Sequence, residues 1–205
     1  MNSLLSFHHV LFLTEQYIEL VAAGSSIAIV IGLLLGIVIT RKSMRRSAPY
    51  VLALVNIGQS LPSLAVLALV IGFLGLGFRP TVFALVIYSV LAIVQNTTTG
   101  ILRVDQGVVE AARGIGMGPL KILTSIELPL AASIILSGVR TAITVNIGTA
   151  ALGSLIGAGG LGTLLFTGLS MEDVPVMLAG AIPIAILAVI ADFGVGWAVK
   201  RTYLA

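Results

Sequence analysis

The chain has 205 residues, of which 58% are hydrophobic and only 9% are charged, with a net charge of +3. A soluble domain carries roughly 25% charged residues, so this composition excludes a disordered protein, a nucleic-acid-binding protein and an ordinary cytosolic enzyme as leading interpretations. Cysteine is absent, which excludes disulfides and thiolate metal sites. Five spans of about 20 residues would need about 100 residues, which the hydrophobic content supplies. The sequence therefore predicts a single all-α transmembrane domain over residues 1–205, with about five transmembrane helices.

Charge-poor stretches mark the spans. They cover residues 20–40, 47–78, 80–102, 128 onward and 174–199. The second stretch is long enough to cross the membrane and include a break, and the fourth is interrupted only by Arg140. Each stretch is long enough for a hydrocarbon layer of roughly 30 Å at about 1.5 Å per residue. Apolar runs without strict alternation favour helices over the strands of a β-barrel.

The basic residues predict the orientation. Nine of the eleven Lys and Arg residues lie between spans one and two, between spans three and four, or after span five: Arg41, Lys42, Arg45, Arg46, Arg103, Arg113, Lys121, Lys200 and Arg201. The other side carries Glu15, Glu19, Arg79, Glu172 and Asp173. The positive-inside rule then places the N-terminus outside and the C-terminus in the cytoplasm.

The loop over residues 103–129 is too long for a tight connection between two spans. Its first half has a small apolar surface among charged residues, which is typical of a short amphipathic helix lying at the membrane face. The apolar residues are Val108, Val109, Ala111, Ala112 and Ile115, and the residues that end the helix are Gly114, Gly116, Gly118 and Pro119. An exposed helix of this kind suits the docking of a partner.

The same loop has a recognisable spacing. Glu110, Ala111 and Ala112 are followed by Gly116, and then by Ile126, Leu128 and Pro129. This pattern resembles the EAA signature of bacterial ABC importer permeases. The resemblance implies a type I importer permease core over about residues 17–199, with a cytoplasmic coupling helix that fits a groove of a separate ATPase subunit. It assigns ATPase coupling to those seven residues, with Gly116 allowing the turn back towards span four.

Three further stretches resemble the osmoprotectant branch of that family, whose members carry glycine betaine, carnitine or choline. They cover residues 56–69, 95–101 and 153–162. The resemblance implies two ATPase subunits, a second permease copy or paralogue, an extracytoplasmic solute-binding protein and surrounding lipid. The location it implies is the cytoplasmic membrane of a bacterium or archaeon. The resemblance places ATP and Mg²⁺ in the partner ATPase, and this chain has no P-loop motif of its own. We expect no enzymatic activity and no cofactor here.

Polar residues at helical spacing are candidates for the translocation path. Asn56, Gln59, Ser60 and Ser63 fall on one predicted helical face, beside Pro62, which should open the backbone hydrogen-bond ladder. Ser137, Thr141 and Thr144 share a face of span four, and Tyr88 lies near polar residues of span three. For the residues of the second span the alternative is hydrogen bonding between helices, typically below about 1 kcal/mol.

Two charged residues fall within spans. Arg140 lies roughly 16 Å from the cytoplasmic boundary and Asp192 roughly 12 Å from it, at about 1.5 Å per residue. These depths predict an ion pair, because a charge within the membrane needs a partner or water. A pair that fixes packing is favoured over a gate.

Other interpretations remain. A permease for methionine or polar amino acids shares the EAA loop. A secondary carrier would need coupling carboxylates, of which only Asp192 qualifies, and often repeated halves, which are not evident. The glycines of residues 157–162 spell a dinucleotide-binding motif in an unsuitable context, so we expect a flexible outer loop there. No grouping predicts a metal site, and Gly32 and Gly36 predict close helix packing.

Overall fold

The computed structural model describes residues 5–41, 44 and 46–203, with side chains up to Trp197. Lys42, Arg45 and the side chains of Lys200 and Arg201 lie outside the described part. The described ranges are helical and contain no strand, which confirms the all-α prediction. The helices are α1 Phe7–Thr40, α2 Ala48–Gln59, α3 Ser63–Leu74, α4 Phe78–Leu102, α5 Gln106–Gly114, α6 Pro119–Ile122, α7 Leu128–Gly153, α8 Gly162–Ser170 and α9 Val174–Tyr203.

Helix α1 begins 13 residues before the predicted start of span one. The Ser6 hydroxyl caps it by accepting a hydrogen bond from the backbone N–H of His9 at 3.4 Å. Glu15 and Glu19 do not end the helix, because both side chains are exposed on its surface. Its 34 residues extend about 51 Å, so the helix is longer than the roughly 30 Å hydrocarbon layer.

The second span is broken. Helices α2 and α3 meet at an angle of 93° across residues 60–62. Pro62 explains the break, because it has no N–H to donate and it disfavours helical backbone in the preceding residue. A bend of this size is compatible with a re-entrant loop or with a broken crossing.

The packing of α1 on α4 decides between these possibilities. Along this contact Gly24 faces Leu85, Gly32 faces Ile93 and Gly36 faces Thr97, so the two helices run in the same direction. The chain between them must therefore return across the bundle, which makes α2 and α3 together one broken span. A Cβ at Gly32 would lie 2.7 Å from Ile93 Cβ, which confirms the close packing predicted for the glycine pair.

Helix α7 runs antiparallel to α4. Gly138 of α7 faces Asn96, and Gly153 near the end of α7 faces Thr81 near the start of α4. The chain enters α7 through a π-helical turn, Leu123–Glu127. The C-terminal ends of α1 and α4, together with α5, α6 and the start of α7, thus lie at one end of the bundle. We call it the basic end, after Arg41, Arg103, Arg113 and Lys121.

The segment between α7 and α9 packs against the rest of the bundle, including residues 157–162, for which the glycines suggest a flexible loop. Helix α8 forms an antiparallel hairpin with the first half of α9, with Gly168 against Met177 and Gly180 against Leu165. Leu161 and Leu164 are fully buried, and the backbone N–H of Gly160 donates to Gln16 of α1 at 3.2 Å. The small residues allow this close packing, and the buried leucines hold the hairpin against the body.

One buried polar group joins three spans. Asn146 of α7 is completely buried, and its Nδ2 donates to the Ser25 hydroxyl of α1 at 3.0 Å. Its Oδ1 accepts a hydrogen bond from the Ser89 hydroxyl of α4. Hydrogen bonds of this kind inside membrane bundles contribute about 0.6 kcal/mol each on average. The trio therefore fixes how α1, α4 and α7 are oriented more than it stabilises the fold.

Candidate coupling site and polar membrane face

Helix α5 has one face turned towards the bundle and one turned away. The Asp105 carboxylate caps its start by accepting from the backbone N–H of Gly107 at 2.8 Å. Val109 and Ala112 are buried at 1% and 5% exposure. They pack in a cluster at the basic end with Ile101, Val104, Ile122, Ala131 and Ile135. Leu33 and Ile37 of α1 also contact this cluster, so it joins α5 to three spans.

Of the seven residues of the EAA pattern, some pack against the bundle and others are exposed. Ala112 faces the bundle, and Ile126 and Leu128 also pack against the cluster at the basic end. Ala112 lies three residues after Val109, on the same inward helical face, so any part it takes in coupling acts through this packing. Glu110 and Ala111 are exposed, and so is Pro129 in the first turn of α7.

The outward face of α5 continues onto α6 as an exposed apolar surface rimmed by charge. Val108, Ile115 and Leu120 are 45%, 81% and 73% exposed. Arg113 and Lys121 are exposed around them. We define the docking face as Val108, Glu110, Ala111, Ile115 and Leu120. A continuous apolar patch with a polar rim is typical of a protein interface.

Residues 106–116, which comprise α5 and the turn after it, form the candidate coupling segment. Gly116 ends this segment in a left-handed conformation, with φ of +86°. Its N–H donates to the Arg113 carbonyl and the N–H of Met117 donates to the Ala112 carbonyl, both at 3.0 Å. This is a Schellman motif with glycine at its left-handed position. Nothing lies within 4 Å of the position that a Cβ would take, so glycine is needed there for its backbone freedom and not for space.

We expect Gly116→Ala to destabilise the coupling segment by about 1–2 kcal/mol, because a left-handed conformation is costly for a residue with a Cβ. Gly114→Ala is the matched control, since Gly114 also has open space around its Cβ position but lies in the helix without a positive φ. Limited proteolysis of the loop over 103–129 in the purified protein measures the difference. Equal protease sensitivity in the two variants would contradict this account of Gly116.

An ion pair at the basic end was not predicted from the sequence. Arg41 Nη2 lies 2.7 Å from Glu127 Oε2, and the same nitrogen donates to the Thr40 hydroxyl at 2.8 Å. Arg41 Nε donates to the Ile37 carbonyl at 3.2 Å. This pair, which we call the Arg41–Glu127 clamp, ties the end of α1 to the π-helical turn before α7. It borders a cavity of about 470 Å³ that Gln106 and Arg113 also line.

A signal for the clamp was present in the sequence. Glu127 is the acidic residue that directly precedes span four, and Arg41 directly follows span one on the same predicted side. Their contact could not be inferred, because it depends on the parallel packing of α1 and α4.

The polar residues proposed for the second span do not share one helical face. Asn56 and Gln59 lie on α2, whereas Ser63 starts α3 beyond the 93° bend. The prediction of a single face is wrong because Pro62 ends the helical period. Gln59 Nε2 donates to Gln95 Oε1 of α4 at 2.6 Å, and the Ser60 hydroxyl donates to the Asn56 carbonyl at 3.1 Å.

The translocation-path candidates of spans three and four also lie in different surroundings. Ser137 and Thr141 are exposed on α7, whereas the Thr144 hydroxyl oxygen is buried and has no hydrogen-bond partner among the described residues. Tyr88 packs against the apolar cluster that α3 forms with α4, which includes Val66 and Leu67. Thr144 and Tyr88 are therefore not placed with the exposed polar side chains.

Arg140 and Asp192 form a bidentate ion pair between α7 and α9. Arg140 Nε donates to Asp192 Oδ1 at 2.5 Å, and Nη2 donates to Oδ2. Gly196 allows the approach, since a Cβ there would lie 3.3 Å from Arg140 Cζ. The two side chains are 41% and 37% exposed, so the pair lies at the surface of the single chain.

A bundle of long apolar helices with an exposed amphipathic helix at one end is the architecture expected of a transport permease. Residues 28–203 match the family described as "Binding-protein-dependent transport system inner membrane component". The chain belongs to this family of ABC importer permeases, which confirms the resemblance seen in the EAA loop. It is therefore a membrane component of a transport system.

Curated relatives match most of the chain. The choline transport system permease protein OpuBB of Bacillus subtilis is 43% identical, over 89% of this chain and 83% of the relative. The carnitine transport permease protein OpuCD of Listeria monocytogenes is 42% identical, over 88% and 80%. The osmoprotectant import permease protein OsmY of Salmonella typhimurium is 39% identical, over 93% and 81%.

Solved structures support the fold. Inward-facing MetNI, a methionine ABC transporter, has a chain that matches with a TM-score of 0.82 at 23% identity, over 91% of this chain and 93% of that one. An amino acid ABC transporter with histidines matches with a TM-score of 0.69 at 20% identity, over 94% and 91%. These similarities confirm the type I importer permease fold.

Proposed function

We propose that this permease imports a quaternary ammonium osmoprotectant of the glycine betaine, choline or carnitine type. The observation that carries the proposal is the identity of about 40%, over most of the chain, with permeases named for choline, carnitine and osmoprotectant transport. The likeness to the methionine transporter concerns the fold alone, so it does not favour methionine as the solute.

The docking face is where an ATPase subunit binds. It presents apolar side chains with Glu110 and Arg113 beside them, and the inward residues of α5 connect it to α1, α4 and α7. When two ATPases close on ATP, they draw two coupling helices together, and the attached spans rotate as a body. The path between two permease chains then changes from inward-open to outward-open. Nucleotide and Mg²⁺ remain in the ATPases.

The basic end faces the cytoplasm in this proposal. Arg41, Arg103, Arg113 and Lys121 lie there, and Arg79 at the start of α4 lies at the other end. The positive-inside rule favours this orientation, with the N-terminus outside. The α8 hairpin then lies on the outer side, where a solute-binding protein delivers its cargo.

The binding protein supplies most of the affinity for the solute. Quaternary ammonium groups are held best by aromatic rings, through cation–π contacts. Aromatic residues make up only 6% of this chain, and Tyr88 packs against α3. The permease path is a weak site, as rapid release requires.

The proposal is tested by isolating the protein from its native membrane and identifying the chains that accompany it. We expect an ATPase, a second permease chain and, on addition of solute, a binding protein. Uptake of glycine betaine, choline, carnitine and methionine by the reconstituted complex then ranks the solutes. Uptake of methionine alone would overturn the osmoprotectant assignment, and isolation without an ATPase would overturn the coupling role of the docking face.

A further inference from the structure

The Arg140–Asp192 pair lies deep in the membrane and is still exposed. Arg140 is 12 residues beyond the first residue of α7, which corresponds to about 18 Å along the helix, near the middle of the membrane. Both side chains nevertheless expose more than a third of their surface. Charged groups within spans almost always face a protein interior or a water-filled cavity, because exposure to lipid is costly. Lipid therefore does not cover this part of the surface.

Other polar groups continue this surface at the same depth. Ser137 and Thr141 are exposed on α7 beside Arg140. Gly138 packs against Asn96 of α4, with a Cβ position 2.5 Å from Asn96 Cβ, which places Asn96 level with them. The neighbouring Gln95 is hydrogen-bonded to Gln59 of α2. Polar side chains of α2, α4, α7 and α9 therefore lie at one level of the bundle, and we call this level the polar belt.

Much of the exposed surface of α9 and α1 is apolar. On α9 the exposed residues include Ile182, Ile186, Val189 and Ile190, at 52%, 52%, 53% and 62%. On α1 they include Val30 and Leu34, at 58% and 60%. These surfaces suit lipid tails, whereas the polar belt does not. The contrast separates a lipid-facing side of the chain from a side that meets water or another protein.

We propose that the Arg140–Asp192 pair is part of the wall of the translocation path, which a second permease chain of the same family completes, and that the pair keeps this wall electrically neutral. The inference rests on the proposed function. A lone carboxylate at this place would hold a quaternary ammonium cation, and a lone guanidinium would repel it. Paired, they let cationic and zwitterionic solutes pass alike.

The charge role is tested by comparing choline, a cation, with glycine betaine, a zwitterion. Asp192→Asn leaves Arg140 uncompensated, and we expect choline uptake to fall about tenfold more than betaine uptake, the effect of a unit charge about 10 Å away at an effective dielectric of about 20. Arg140→Gln should shift the choline-to-betaine ratio the other way. The double variant, Arg140→Gln with Asp192→Asn, should restore the ratio because the wall is neutral again.

The ratio does not depend on expression level, so it separates this role from a structural one. A pair that only fixes packing would lower uptake of both solutes equally in all three variants, and that result would overturn the proposal.

A second measurement tests the wall without reference to any solute. The chain has no cysteine, so a single cysteine reports its own surroundings. In the reconstituted complex, Thr141→Cys should react with a charged, water-soluble thiol reagent, whereas Ile186→Cys on the apolar face of α9 should not. Equal labelling of both, or an unreactive Thr141→Cys, would overturn the assignment of this face. If neither choline nor betaine is transported by the unmodified complex, the solute assignment fails while the labelling result still tests the wall.

Discussion

Replacing Ile115 by glutamate is expected to weaken binding of the ATPase at least about thirtyfold, and so to lower solute uptake, while the permease stays folded. Ile115 is 81% exposed at the centre of the docking face, four residues after Ala111 on the same helical side. The new carboxylate would be buried against the ATPase without a partner, which at a central interface position costs about 2 kcal/mol or more. That free energy corresponds to a factor of about thirty in binding.

Two further variants show whether the loss arises at the interface. Val109→Glu places the same charge on the buried side of α5, so we expect it to unfold the coupling segment. Phe7→Glu adds the charge at an exposed apolar position at the other end of the bundle and should leave the ATPase bound. The measurements are the amount of ATPase that co-purifies and the thermal unfolding midpoint. An Ile115→Glu protein that keeps its ATPase would show that the docking face is not where the ATPase binds.

The predictable parts of the fold are those that depend on local composition. The length of the apolar stretches predicts the spans, and Pro62 accounts for the 93° bend. The start of α1 was missed because Glu15 and Glu19 resemble a loop, although charges on the exposed side of a long helix are tolerated. The packing of residues 157–162 was missed because their glycines suggest flexibility, whereas Gly159 and Gly160 lie against Gln16 and Tyr17 of α1 and Gly162 lies against Ala151 of α7.

The candidate site was predictable in position but not in orientation. The spacing of the EAA residues located helix α5, but it could not predict that Ala112 faces inward while Ala111 faces outward, since that depends on where α4 and α7 lie. The Arg140–Asp192 contact could be expected because opposite charges at similar depths in the membrane stabilise each other as an ion pair. The Arg41–Glu127 clamp could not, because each of its residues lies at a membrane boundary, where water satisfies a single charge.

In the proposed mechanism, the cluster at the basic end carries movement of the docking face to α1, α4 and α7. Val109 and Ala112 pack against residues of α4 and α7, and Ile37 of α1 joins them. The clamp adds a polar tie between α1 and the start of α7. A short exposed helix alone would bend when pulled, whereas a helix anchored to three spans moves them together.

The clamp should therefore be needed for coupling rather than for assembly. We expect Glu127→Ala to keep the ATPase bound but to lower solute-stimulated ATP hydrolysis severalfold, because α1 then loses its polar tie to the start of α7 and keeps the apolar contacts of the cluster at the basic end. Glu127 is only 13% exposed, so removing it also leaves Arg41 partly buried without its partner, which costs about 1–2 kcal/mol for a pair that is less than fully buried. ATP hydrolysis with and without solute-loaded binding protein, measured in proteoliposomes, gives the coupling directly.

A set of charge variants separates the ion pair from a general effect of charge at the basic end. Arg103→Ala removes one exposed positive charge at the same end and should change coupling little. Arg41→Ala should behave like Glu127→Ala, and the exchange of both charges, Arg41→Glu with Glu127→Arg, should recover part of the stimulation. The recovery is partial because the present Arg41 also donates to Thr40 and to the Ile37 carbonyl. If Arg41→Ala and Arg103→Ala lower the stimulated rate equally, net charge rather than the tie between α1 and α7 controls coupling.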